Sequence, residues 1–307
     1  MKTLPAAAGV LAALVGLTAP VVAADTASPE SAALVTKAPA SASTVPFEAL
    51  FLGVGGGFGS TSFNDPYLYA QGVSEISQGG VPVAVGAAGG STDPGFGSDG
   101  RLAPIVQFGG FRHFDGSDWL WGAKFTYGYL DASSSVANLP VPQSGGYENL
   151  TDDPSTSFGG NVVVHSYETR ITHQISFVPF IGRSYEKMFV YAGAGPTVSR
   201  VESNLDGVIG FAEINGQHVD VTGAPSNFSS EEWVFGGAVT VGLTYFFTPQ
   251  WFVDVNYTYA RTADYSGSFS TPFSSSTDGY DDVGILSGNY SGSLTTQAVA
   301  ISINRAF

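Results

Sequence analysis

The stretch WFVDVNYTYA, residues 251–260, decides the fold class of this chain of 307 residues. One face carries the aromatic or apolar residues Trp251, Val253, Val255, Tyr257 and Tyr259, and the other carries the small or polar residues Asp254, Asn256, Thr258 and Ala260. This two-residue period predicts a β-strand with one apolar face. A soluble sheet would expose a charged face, but only 12% of the residues are charged. The pattern is instead typical of a barrel that turns its apolar face to lipid and its small and polar face to the lumen.

The same alternation recurs in DWLWGAKFTYGY (118–129) and FGGAVTVGLTYF (235–246). Eight segments of this kind are predicted, at residues 47–63, 101–113, 118–130, 166–182, 187–199, 233–247, 251–263 and 294–307. An even number of strands allows a sheet to close. The sequence therefore predicts an all-β fold, an eight-stranded antiparallel transmembrane β-barrel of the up-and-down type, over residues 47–307.

The predicted connections alternate between short and long. FDGSD, RSYEK and TPQ join three pairs of strands, and the other four connections are much longer. Short turns face the periplasm and long loops face outward in bacterial barrels. The long segments 64–100, 131–164, 199–232 and 262–292 hold 18 acidic residues and one basic residue, Arg200. Their Gly, Ser and Asp content predicts mobile, solvated extracellular loops.

Two of these loops contain a candidate for extra β-structure. They are VPVAVGAAGG (81–90) and GVIGFAEINGQHVDVTG (207–223). Neither has the aromatic alternation expected of a strand that spans lipid, and the second is predicted as a hairpin beyond the membrane.

The first 46 residues predict export. Lys2, the apolar run AAAGVLAALVGL and the small residues before position 25 indicate a cleaved signal peptide over residues 1–24. Residues 25–46 are rich in Ala, Ser, Thr and Pro and predict a periplasmic linker. No later run reaches the roughly 20 apolar residues of a spanning helix, so a helical membrane protein is excluded.

Composition excludes several kinds of partner and site. The formal net charge of −15 makes nucleic acid an unsuitable partner. The absence of cysteine excludes disulfides, thiolate metal sites and cysteine nucleophiles. The glycine-rich stretch FLGVGGGFGSTSF (51–63) lacks the G-x-G-x-x-G spacing and the following helix of a nucleotide site. We predict no cofactor.

Four charged residues share the small or polar faces of their strands, which places them in the predicted lumen. They are Lys124, Glu168, Arg170 and Asp254. An eight-stranded barrel is just wide enough inside for side chains to fill it, so such charges must pair. The main hypothesis is an internal plug of ion pairs, and the alternative is a narrow selective conduit.

Other polar clusters suggest weaker hypotheses. His113, His165, His173 and His218 are scattered and have no zinc-ligand spacing. His165, Ser166 and Glu168 resemble a fragment of the lipid A deacylase site, although the motif of those barrels is longer. Asp152, Asp153, Asp281 and Asp282 are candidates for sharing divalent cations with lipopolysaccharide phosphates, but they lack the spacing of a calcium loop, and no metal site is assigned.

Both ends of the mature chain resemble the Omp25/Omp31-like outer-membrane barrels of alphaproteobacteria, an opacity-type porin family related to the OmpA transmembrane domain. LVTKAPASASTVPFEALFLGVGGGFG (34–59) is similar to their linker and glycine-rich first strand. AVAISINRAF (298–307) is similar to the C-terminal assembly signal of such barrels, with Ile301, Ile303 and Phe307 at alternate positions.

This resemblance implies a location and a set of partners. The location is the outer membrane of a Gram-negative bacterium. The partners are outer-membrane lipid, lipopolysaccharide and the barrel assembly machinery, with host or environmental surface ligands as further candidates. The implied role is non-enzymatic, in envelope integrity and as a surface antigen. A small porin-like channel is the first alternative, and a lipid A hydrolase is the second.

Overall fold

A computed structural model describes residues 44–150, 155–214 and 217–307, with only the backbone at 212–214 and 217–219. The predicted signal peptide and the linker up to residue 43 lie outside the described residues. The described strands are β1 (Glu48–Gln78), β2 (Val81–Thr92), β3 (Ser98–His113), β4 (Trp119–Asn149), β5 (Thr156–Ser184), β6 (Met188–Ile214), β7 (Gln217–Asp220), β8 (Ser226–Thr248), β9 (Trp251–Thr262), β10 (Tyr265–Thr277) and β11 (Tyr280–Ala306). In these ranges no helix is both long and apolar enough to cross a membrane.

Eight of these strands close an antiparallel barrel in the order β1, β3, β4, β5, β6, β8, β9 and β11. The first and last strands pair from Phe51 with Ala306 up to Phe63 with Leu294, which removes both edges of the sheet. When the short strands β2, β7 and β10 are left out, each strand of this circuit is also next in sequence to its neighbour, apart from the closing pair of β1 and β11. The predicted eight-stranded up-and-down barrel is confirmed.

The outward face of the barrel carries an apolar belt. On β1 it runs from Leu50 to Phe58, and on β11 from Ile303 to Val299. Trp119, Trp121, Trp233 and Trp251 are all exposed on this face. A strand needs about 9–11 tilted residues to cross the hydrocarbon core, and the stretch of β1 from Leu50 to Phe58 has this length. We call the barrel end with the turns at 114–118, 185–187 and 249–250 the turn end.

The glycines of β1 let this strand lie close to its neighbour. A Cβ atom on Gly55 would lie 2.1 Å from the carbonyl oxygen of Ile301 and 2.6 Å from the Cα of Ser302. On Gly56, which points outward, the nearest atom would be the carbonyl oxygen of Ala103 at 3.7 Å. The glycine-rich stretch is therefore a packing feature of the closing strand pair.

The strands continue far beyond the belt, and this part, which we call the extension, corrects the prediction of mobile loops. Here β2 takes the place of β3 between β1 and β4. On the side of β11 that faces away from β1, β10 pairs with it in place of β9. The turns Gly79–Gly80 and Asp278–Gly279 have positive φ at both positions, which two-residue hairpins of type I′ require. The predicted hairpin within 207–223 is confirmed, because β6 pairs with β7 from Phe211 to Ile214.

The extension is ordered by an apolar core of its own, distinct from the barrel below it. Its fully buried members include Leu68, Tyr167, Leu205, Leu286 and Leu294, contributed by β1, β5, β6 and β11. In the sequence Tyr167, Leu205 and Leu294 are flanked by small or polar residues, whereas Leu68 lies between two tyrosines and Leu286 follows an isoleucine. The alternation therefore shows no consistent contrast between the two faces. That is why a loop was predicted here.

We predict that Gly55→Ala destabilises the barrel, whereas Gly56→Ala does not. The new methyl group at position 55 meets the backbone of β11, and overpacking of this kind costs about 1–3 kcal/mol. The free energy of unfolding in urea, followed by tryptophan fluorescence, measures the difference between the two variants. Equal stability of both variants would contradict the close approach of β1 to β11.

Leu286→Ala tests whether the extension is folded. Leu286 is 1% exposed and its neighbour Ile285 is 53% exposed. Truncation of a buried leucine costs about 2–5 kcal/mol, so we expect faster amide hydrogen exchange throughout the extension. Ile285→Ala is the matched control and should leave exchange nearly unchanged. If the extension were mobile coil, neither variant would differ from the wild type.

Candidate functional site in the barrel lumen

The centre of the lumen near the turn end holds a buried ion pair. Lys124 of β4 and Asp254 of β9 point inward, because each is flanked in sequence by outward-facing belt residues. The side chains are almost completely buried, and Lys124 Nζ lies 3.2 Å from Asp254 Oδ2. The structure thus brings together two of the four predicted luminal charges.

Further polar groups satisfy the carboxylate of Asp254. Tyr191 Oη donates to Oδ1 at 2.9 Å, Thr244 Oγ1 donates to Oδ1 at 3.0 Å, and Asn256 Nδ2 donates to Oδ2 at 2.9 Å. Lys124 Nζ also donates to Tyr191 Oη at 2.6 Å. A buried ion pair repays its desolvation only when such extra hydrogen bonds complete the site.

The network continues to the closing strands through Gln107 of β3. Its Nε2 group donates to Ser302 Oγ and to Asn304 Oδ1, both at 2.8 Å, and lies 3.5 Å from Asp254 Oδ2. We call this set the polar layer: Gln107, Lys124, Tyr191, Thr244, Asp254, Asn256, Ser302 and Asn304. It connects six of the eight barrel strands across the lumen. Sequence reasoning found two of its members, because amides and hydroxyls on inward faces carry no distinctive signal.

Below the polar layer, aromatic rings fill the turn end of the lumen. This aromatic floor consists of Val45, Ala49, Phe51, Phe111, Leu120, Phe180, Phe189, Tyr191, Phe246, Phe252 and Ala306. The rings of Phe246 and Phe252 lie 4.7 Å apart between centroids, and those of Phe111 and Phe189 lie 5.1 Å apart. Val45 lies near the end of the segment predicted as the linker, residues 25–46. Because its side chain is buried in the aromatic floor, this end of the segment belongs structurally to the barrel.

The free space inside the barrel is small. The void between the aromatic floor and the polar layer is about 10 Å³, which is near the limit for one water molecule. Above the polar layer lies a cavity of about 80 Å³, lined mainly by small residues such as Gly57, Gly59 and Ala300. The apolar core of the extension lies beyond it. No wide aqueous path crosses the lumen formed by the described residues.

The structure places Glu168 and Arg170 away from the lumen, which corrects their predicted position. The pairing of β5 with β6 shifts between Ile171 and His173. Above this bulge Tyr167, Thr169 and Ile171 are buried inside, so Glu168 and Arg170 point outward. An extra residue in one strand reverses the in–out alternation, and sequence periodicity alone does not show where this happens.

Arg170 instead helps to close a seam in the barrel wall. The ladder between β3 and β4 ends at Gly128, and that between β2 and β4 begins at Ser144. Arg170 and Arg101 both form ion pairs with Asp131 in the intervening part of β4. Asp99 Oδ2 accepts a hydrogen bond from the amide of Ser133 at 3.0 Å.

The seam is also blocked by the segment that links β2 to β3. Phe96 of this segment packs inward, and its ring centroid lies 4.9 Å from that of Tyr167 and 6.0 Å from that of Phe63. The amide of Gly97 donates to Ser134 Oγ at 3.0 Å. Side chains and a loop therefore cover the wall where strand pairing stops.

The other candidate residues lie at separate places. His165 Nδ1 is 3.1 Å from Asn138 Oδ1, so its contact is with an amide and not with Glu168. Asp152 and Asp153 lie outside the described residues. Among the residues that are described, no group of three or more His, Asp or Glu side chains is arranged to hold a metal ion.

The C-terminal residues lie at the turn end of β11. Ile301, Ile303 and Phe307 face outward, and Phe307 exchanges backbone hydrogen bonds with Leu50. The guanidinium of Arg305 lies over the rings of Trp251 and Phe307.

The sequence matches no protein-family model and no curated protein. Among solved structures, the outer membrane protein OprG from Pseudomonas aeruginosa is 11% identical, with 86% of this chain and 98% of that chain covered and a TM-score of 0.37. Neisserial surface protein A is 12% identical (75% and 95% covered, TM-score 0.26), and the outer membrane protease OmpT from Escherichia coli is 13% identical (84% and 97% covered, TM-score 0.30). Scores this low do not establish a common fold, so the architecture described above rests on the strand pairing of this chain.

We predict that Lys124→Met and Asp254→Asn each destabilise the protein strongly, because each leaves the partner charge buried without compensation. Breaking a buried pair costs about 3–5 kcal/mol. The double variant Lys124→Met/Asp254→Asn should lose much less than the sum of the two, since it removes both charges. Unfolding in urea measures the coupling. Strict additivity would show that the two side chains do not interact in the folded protein.

Proposed function

We propose that this chain is a non-conducting outer-membrane barrel of a Gram-negative bacterium whose role is structural. The observation that carries the proposal is the double closure of the lumen, by the aromatic floor at one end and the apolar core of the extension at the other. In the polar layer between them, Lys124 and Asp254 pair with each other. This ion pair is thus suited to cross-linking the wall rather than to guiding ions.

Several features support the outer membrane as the location. On β1 the belt of outward apolar residues has the length of a strand that crosses a bilayer core, and tryptophan and tyrosine are frequent on the belt. The sequence predicts an export signal and a C-terminal assembly signal ending at Phe307. In this arrangement the turn end faces the periplasm and the extension projects from the cell, in contact with lipopolysaccharide. Assembly would use the barrel assembly machinery.

The Omp25/Omp31-like family remains our proposal for the relatives of this chain, on the strength of its glycine-rich first strand. The proposed work is to reinforce the envelope and to present a folded acidic surface, as a surface antigen does. The contact of His165 with an amide supports a non-enzymatic role over the lipid hydrolase.

Single-channel recording in planar bilayers tests the closed lumen. We expect the refolded mature protein to insert without steady conductance steps, because the residual voids are too small for a continuous water column. Heat-modifiable gel mobility of the same sample shows that it is folded, and a 16-stranded porin shows that the bilayer reports channels. Reproducible steps from the folded wild type would overturn the proposal in favour of a small pore.

The structural role is tested in the cell by deletion of the gene. We expect a deletion strain to leak periplasmic proteins and to become sensitive to detergent with EDTA. Wild-type protein should restore the barrier, and Gly55→Ala should restore it less well than Gly56→Ala at equal expression. A deletion strain with an unchanged barrier would contradict the envelope role.

A further inference from the structure

A second cavity, partly open to solvent, lies within the extension, far from the polar layer of the lumen. Its volume is about 80 Å³, several times what one water molecule needs. Aromatic side chains form much of its wall, with Tyr147 from β4, Phe158 from β5 and Phe273 from β10. The lining is mostly apolar, which is typical of a site that binds a small organic molecule.

Two hydrogen-bond acceptors in the lining of this cavity have no partner among the described residues. They are Asp282 Oδ1 and Gln143 Oε1, and both atoms are shielded from solvent. Gln143 is 8% exposed. Its Nε2 group donates to the carbonyl oxygen of Val141 at 3.2 Å, which identifies the other end of the amide as the free acceptor. A buried acceptor without a donor costs free energy, so a ligand that donates hydrogen bonds to these two atoms would stabilise the site.

The charge of Asp282 is likewise uncompensated. The described residues lining the cavity include no lysine or arginine. Burial raises the pKa of the Asp282 carboxyl above its ordinary value, and a hydrogen bond with Ser74 opposes that rise. A cation placed in the cavity would stabilise the ionised carboxylate and supply the missing donor.

From these observations we propose that the extension binds a small amphipathic amine: a protonated amino group that donates to Asp282 and Gln143, attached to an aromatic or short alkyl body that packs against Tyr147, Phe158 and Phe273. An ammonium group offers several donors and a positive charge, which matches two acceptors of which one is anionic. The aromatic walls favour the apolar body and add attraction between the cation and the rings. This site is independent of the closed lumen, so it goes beyond the structural role proposed above.

Isothermal titration of the folded full-length mature protein with 2-phenylethylamine tests the proposal. We expect saturable binding at one site, and at least about tenfold weaker binding of 2-phenylethanol, because that neutral analogue cannot form the charge-assisted hydrogen bond. This comparison uses the wild type alone and does not depend on the folding of any variant. Absence of saturable amine binding, or equal affinity for the alcohol, would overturn the proposal.

Two neighbouring aspartates provide the matched variants. Asp282→Asn should weaken amine binding by about tenfold or more, since it removes the anionic acceptor. Asp281→Asn removes the same charge from an exposed position outside the lining and should change the affinity less than twofold. Equal losses in the two variants would show that the amine responds to the general negative field of the extension and not to this cavity. Heat-modifiable mobility identifies variants that are folded.

Discussion

Closure of β1 against β11 is the constraint on which the rest of the structure depends. Backbone groups in hydrocarbon have no water to bind, so every one of them must be paired within the protein. The ladder from Phe51 with Ala306 to Phe63 with Leu294 meets this requirement for the two end strands. The glycines of β1 allow the strands to approach, since a side chain at Gly55 would collide with the backbone of β11.

Closure with eight strands also determines what the interior must contain. The lumen is only wide enough for side chains, and any unfilled volume would weaken the packing. Near the turn end rings fill the space, and in the next layer Lys124 and Asp254 fill it with a hydrogen-bonded network. Within this polar layer Gln107 Oε1 is a buried acceptor without a partner among the described residues. Such a pair is not in itself a strong source of stability, because desolvation offsets the attraction. Its geometric value is that it ties together strands that are distant in sequence.

The part of the fold that meets lipid was predictable from the sequence, and the extension was not. In the belt, aromatic residues alternate with glycine, threonine and charged residues, as in WFVDVNYTYA, so the two faces differ strongly. In the extension, Leu286 and Tyr290 share a face with glycines and alternate with serine and asparagine. This weaker contrast resembles that of a loop. The dipeptides Gly79-Gly80 and Asp278-Gly279 were hairpin signals that could have corrected the prediction.

The candidate site was predictable to a similar extent. Lys124 and Asp254 lie on strands whose alternation is uninterrupted, and both point inward as expected. Glu168 and Arg170 lie above the bulge near Ile171, where the alternation reverses. The acceptors Asp282 and Gln143 come from strands β11 and β4 and converge only through the topology of the extension. No spacing in the sequence relates them.

The two-residue turns of the extension have a consequence for proteolysis. A protease must draw an extended, unpaired segment of several residues into its cleft, and loop tips are where such segments are normally found. The tips at Gly79–Gly80 and Asp278–Gly279 are too short to supply one, and the residues on either side are held in ladders. Resistance of whole cells to added proteinase K, which needs no lysine or arginine at the cleavage site, would therefore be compatible with full exposure of these tips, and shaving experiments would undercount how much of this protein lies outside the cell.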